Sequence, residues 1–100
     1  MVDKKIVVWT KRSQNQMKDA FDYISKDSAQ NACKVLEDIV IAVTKAAKNP
    51  EFYNPDKFKR NNDGSYRSFE KHRYRITYRF TANTIRVLRV RHTSMEPKMY

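Results

Sequence analysis

One hundred residues, 40% of them apolar, suffice for one packed core and not two. One glycine and three prolines exclude low-complexity sequence and a long linker, and a single cysteine excludes an internal disulfide. The net charge of +10, from 21 Lys/Arg against 11 Asp/Glu, points to nucleic acid, a ribosome or an acidic protein surface as partner.

In chain order, Lys5 to Trp9 is a short continuous apolar run that reads as a strand. It is too short for a signal-peptide core, and nothing approaches a membrane span, so a cytoplasmic protein is expected. Ser13 and Gln16 form an S-x-x-Q pattern, which predicts a capping box. Met17, Ala20, Phe21 and Ile24 then recur at helical spacing, to about Lys26. Asp27 or Ser28 caps a second helix. Its seam is Ala29, Ala32, Leu36, Ile39, Val43 and Ala46, and Pro50 follows its end at Lys48. The pattern predicts helices of about 14 and 21 residues, folded as a hairpin. Cys33, Val35, Val40 and Ile41 lie off the seam. A wide buried face accounts for them, with contact to a second chain as the alternative.

Residues 51–64 form the longest irregular segment. Turn signals at Asn54-Pro55-Asp56 and Asn61-Asn62-Asp63-Gly64 flank Lys57, Phe58, Lys59 and Arg60. Ser65 to Lys71 is a polar extended piece. Tyr74 to His92 then reads as two antiparallel strands around a tight turn at Ala82-Asn83. In the first strand, apolar Tyr74, Ile76, Tyr78 and Phe80 alternate with Arg73, Arg75, Thr77 and Arg79. They share a face assigned mainly to the core. The second strand carries Arg86, Arg89 and Arg91 among Ile85, Val87, Leu88 and Val90. Its apolar phase breaks, which predicts either a central strand buried on both sides, the preferred reading, or a bulge at Val87-Leu88.

No metal set emerges from His72, His92 and Cys33, and Gly64 alone cannot make a phosphate loop. Cys33 is expected to be a small buried hydrophobe. What remains is a basic surface containing a histidine. Metal-free RNA cleavage needs such groups to activate the 2′-hydroxyl and stabilise the phosphorane. Arg75, His92, Arg89, Arg91, Lys57, Lys59 and Tyr100 supply the residue types, while Tyr66, Tyr74, Tyr78 and Phe58 could stack bases.

The opening strand with Trp9, the hairpin ending AAKNP, the strand YRITYRF and the strand IRVLRVRHTSMEP together resemble toxins of the RelE/ParE superfamily. These belong to bacterial type II toxin–antitoxin systems. The resemblance spans nearly the whole chain and implies an α+β fold: an N-terminal strand, a two-helix hairpin, then an antiparallel sheet of about three further strands. It implies a cognate antitoxin, which the basic sheet leads one to expect to be acidic, and growth arrest by the free toxin; no cofactor or metal is expected. Two mechanisms exist in the superfamily. YoeB-like members cut mRNA on the ribosome, and Arg75 and His92 match their arginine and histidine. Thr93 stands where their tyrosine would be. ParE-like members poison DNA gyrase, and the long hairpin and the tail TSMEPKMY resemble them more. The target-binding residues expected are Lys57, Lys59, Arg60, Arg73, Arg89 and Arg91.

Overall fold

The computed structural model describes residues 4–95 and 97–100; residues 1–3, and Glu96 of the tail motif, lie outside it. Strand β1 (Ile6–Trp9) leads into helix α1 (Lys11–Ser25). The cap is Thr10, not Ser13: the Thr10 hydroxyl accepts the Ser13 amide at 3.1 Å, and Ser13 is buried with its hydroxyl donating to the Thr10 carbonyl at 2.8 Å. Gln16 is likewise no capping partner. Its Oε1 accepts the Val90 amide at 2.7 Å and ties the helix to the sheet. Helix α2 (Ala29–Lys48) is capped by Ser28, whose hydroxyl accepts the Asn31 amide at 3.0 Å. The helices run 15 and 20 residues.

Strands β2 (Tyr66–Lys71), β3 (Tyr74–Phe80) and β4 (Thr84–His92) complete a sheet of order β1-β4-β3-β2. β1 joins it parallel to β4, and the other pairings are antiparallel. β4 is therefore central, as expected, but it is not buried on both sides. Thr77 pairs with Arg89 and Tyr78 with Val87, so Leu88 is an extra residue, and it is only half-buried. This bulge explains the broken phase: Ile85, Val87 and Val90 all reach the core despite their uneven spacing.

The hairpin covers one face of the sheet. Ile39, Val43, Ala46 and Ala47 of α2 pack against Phe69, Tyr74, Ile76, Tyr78, Ile85 and Val87, every one of them buried. Arg73, expected at the head of β3, lies instead in the turn before it. His72 and Arg73 have φ of 51° and 69°, consecutive left-handed residues that fit a mirror-image two-residue turn. Among the described residues no helix is long and apolar enough to cross a membrane.

Candidate functional site: the arginine face of the sheet

Side chains alternate along a strand, and residues paired across an antiparallel ladder share a face. The register therefore places three rows on the sheet face away from the hairpin: Tyr66–Arg79–Arg86, Ser68–Thr77–Arg89 and Glu70–Arg75–Arg91. Five arginines stand on this face. The sheet needs its other face for the core, so nothing in the packing of the hairpin requires them.

Residues 56–60 and the chain end fold over the middle of this face. Asp56 is 3% exposed and anchors them. Its carboxylate accepts the Phe58 amide at 3.2 Å, the Ser68 hydroxyl at 3.5 Å and the Tyr100 phenol at 2.6 Å. The Tyr100 amide donates to the Phe58 carbonyl at 3.0 Å, and the Arg60 amide donates to the Tyr100 carbonyl at 2.6 Å. Burial, and then the bond to Asp56, push the Tyr100 phenol far above its ordinary pKa.

The rings so positioned lie under cations. Arg75 stands 4.7 Å from the Phe58 ring, Arg79 5.2 Å from Tyr66, and Arg89 4.4 Å from Tyr100. Lys59 sits between Tyr66 and Tyr100, at 4.8 and 5.5 Å. Lys57 covers the Phe58 ring at 5.3 Å. A cation on an aromatic face gains about 0.5–1 kcal/mol at an exposed site. Arg75 also pairs with the exposed Glu70 at 3.0 Å. Beneath the tail is a cavity of about 20 Å³, bordered by Arg75, Arg89, Arg91, His92 and Lys98. It has room for about one or two waters and none for a nucleobase.

The sequence-derived residues divide. Lys57, Lys59, Arg89 and Arg91 gather at this face, with Arg75. Arg60 joins through its backbone and its side chain is exposed. Arg73 does not join, because the turn carries it to the end of the hairpin. His92 borders the small cavity, yet the register pairs it with Tyr74, on the core side. Its ring lies edge-on to Tyr74 at 5.1 Å and to Tyr23 at 6.4 Å. Nδ1 accepts the Ser94 amide at 3.0 Å and has the Ser94 hydroxyl at 2.7 Å. A neutral ring then carries its proton on Nε2. Of the proposed base-stacking rings, Tyr74 and Tyr78 are buried.

Arg79 and Arg86 belong to the face and escaped the sequence-derived set; the alternation of β3 contains the signal for the first. Arg67 belongs to the core side. Its guanidinium donates to the Gly64 carbonyl at 2.7 Å and the Tyr53 carbonyl at 3.0 Å, holding the irregular segment to β2.

A second surface lies on the hairpin. Cys33, Val40 and Ile41 are exposed, contrary to the wide buried face expected, while Val35 is buried. α2 turns Val35 toward the sheet, and the other three line an open apolar groove of about 740 Å³ with Met17, Phe21 and Leu36.

The comparisons agree with this fold. Residues 7–97 match the model of the ParE toxin of type II toxin–antitoxin systems. The chain belongs to this family. A chain of the chromosomal ParDE TA system from P. aeruginosa superposes with a TM-score of 0.68, at 16% identity, over 89% of this chain and 96% of the other. The toxin–antitoxin complex RelBE2 of Mycobacterium tuberculosis gives a TM-score of 0.60, at 19% identity, over 92% and 94%. No curated protein matches by sequence. Both structural likenesses, at these identities, speak for the ParE/RelE-like α+β architecture alone.

Proposed function

We propose that this ParE-family toxin acts on DNA gyrase without cutting nucleic acid, and that a cognate antitoxin neutralises it. The observation that carries the first part is how Arg75 and His92 are engaged. An acid/base cleavage site needs both to face one scissile phosphate. The two border one small cavity, but the Arg75 guanidinium is stacked on Phe58 and paired with Glu70, and the His92 ring packs edge-on against Tyr74 and Tyr23. The Nδ1 that would accept a 2′-hydroxyl proton is already held by Ser94. The family match supports the same reading.

The exposed hairpin groove supports the second part. Val40 and Ile41 are 45% and 63% exposed beside one another on α2. Contiguous apolar surface on a small soluble domain marks a partner site, and an amphipathic antitoxin helix would fill it.

The test is gyrase supercoiling with the purified chain. The expected result is loss of supercoiling with accumulation of cleaved DNA. Supercoiling unchanged at saturating toxin rejects gyrase as the target. Cleaved mRNA in a programmed-ribosome assay, lost in Arg75→Ala and His92→Ala, would establish the endoribonuclease instead.

A further inference from the structure

The geometry points to a function for the arginine face that gyrase inhibition does not require: we propose that it binds the phosphodiester backbone of double-stranded nucleic acid, without reading sequence. Five guanidinium groups stand in three successive rungs, Arg79 with Arg86, then Arg89, then Arg75 with Arg91. A strand advances about 3.3 Å per residue, so rungs on one face lie about 7 Å apart. That repeat suits successive phosphates along one strand of a backbone.

Three of the five arginines are mounted on rings, Arg75 on Phe58, Arg79 on Tyr66 and Arg89 on Tyr100. Stacking fixes the plane of the guanidinium and leaves its N–H edges to project sideways. A fork held this way loses less conformational freedom when it takes a phosphate oxygen. Two features choose backbone over base. The rings are already covered by the protein's own cations, so none is left as a stacking platform for single-stranded bases. The cavity at the Arg75–Arg91 rung holds about 20 Å³, enough for an oxyanion's oxygen and not for a base. Among the described residues, two acids stand at this face, and neither competes strongly. Asp56 is committed to Phe58, Ser68 and Tyr100, and Glu70 is exposed, where an ion pair is weak.

The experiment is fluorescence anisotropy of a labelled 20-base-pair duplex DNA with the full chain, in the absence of gyrase, across a salt series. The expected dissociation constant is about 10⁻⁴–10⁻⁶ M at physiological salt. The slope of log K against log salt should be about −4.5, since each of five neutralised phosphates contributes about 0.9. Arg79→Gln/Arg86→Gln, both at exposed positions, should weaken binding at least tenfold and reduce that slope by about 2. Lys11→Gln/Lys18→Gln on α1 should leave both unchanged, and circular dichroism checks that each variant is folded. No binding at low salt overturns the proposal, as does equal loss in the α1 variant. Tighter binding to the single strand would make the ligand an exposed base. Displacement of the duplex by poly-glutamate at equal charge would make it an acidic polypeptide. Neither outcome depends on whether supercoiling is inhibited, so the two proposals fail separately.

Discussion

Tyr100 donates a 2.6 Å hydrogen bond from its phenol to Oδ2 of the buried Asp56, joining the end of the chain to the middle of the irregular segment. That contact decides the shape of the arginine face. It seats the ring on which Arg89 stands and orders residues 56–60, which supply Phe58 and Lys59. Tyr100→Phe keeps the ring and removes the donor to a carboxylate, which should cost about 1.5–3 kcal/mol. Asp56→Ala removes three acceptor contacts at once and should cost more. Urea denaturation of the two variants checks the order; equal stability of Tyr100→Phe and the parent would mean the phenol bond to Asp56 contributes no net stability.

Tyrosines should set the alkaline limit of stability. Burial holds the phenols of Tyr53, Tyr74, Tyr78 and Tyr100 above their ordinary pKa of 10.0. Tyr78, fully buried, donates to the Pro50 carbonyl at 2.6 Å. A group whose folded pKa is raised contributes stability that is complete below its unfolded pKa and lost as pH rises toward the folded value. The tyrosine contribution should therefore be constant below pH 10 and be lost steeply above it. Tyr78→Phe loses the Pro50 bond at every pH, and its curve should fall less steeply above pH 10. Chemical denaturation across this range reads the slope directly.

The acid limit should show a contribution from Asp38. Its carboxylate accepts from His72 Nε2 at 2.6 Å and from Lys34 at 3.3 Å, and the His72 contact, then Lys34, hold its pKa below 3.8. A depressed carboxyl pKa gives stability that is present above the unfolded value and lost as pH falls through the folded one. Asp38→Asn should thus be less stable than the parent at neutral pH, and the difference should shrink as pH drops well below 3.8. A constant gap across the titration would show that packing, not charge, accounts for it.

Much of this architecture was legible from spacing alone. The 3.6-residue period gave the hairpin, and the two-residue period gave β3 and its buried face of Tyr74, Ile76 and Tyr78. The misreadings arose where one pattern has two physical causes. Ser13 and Thr10 can both cap, and the choice fell to Thr10 because Ser13 is drawn into the core. A break in alternation reads the same for a doubly buried strand and for a bulge. His72-Arg73 contains no glycine or asparagine, so a left-handed turn there leaves no compositional mark. The site was half legible. Alternation assigned Arg75 and Arg79 to one face, but Tyr100 reaches Asp56 across 44 positions of sequence, which no local pattern reports.

The hairpin groove makes a prediction about neutralisation. Ile41→Asp or Val40→Asp places a charge on the proposed antitoxin surface while leaving the buried stripe of α2 intact. Each should weaken antitoxin binding tenfold or more, about 1.4 kcal/mol or above, with little change in thermal midpoint. Calorimetry of the toxin with its antitoxin measures this. Unchanged affinity in both variants would place the antitoxin elsewhere.

Arg73 offers the cleanest gain in stability. A residue with a Cβ at φ 69° costs roughly 1 kcal/mol, and glycine adopts that conformation without it. The Arg73 carbonyl accepts the Thr93 amide at 2.7 Å, a backbone contact that substitution preserves. The side chain is exposed and belongs to none of the three rungs of the arginine face. Arg73→Gly should therefore stabilise the domain by about 1 kcal/mol, raising its melting midpoint by about 4–8 °C. A thermal midpoint that falls would show that the Arg73 side chain holds the turn by a contact outweighing its backbone strain.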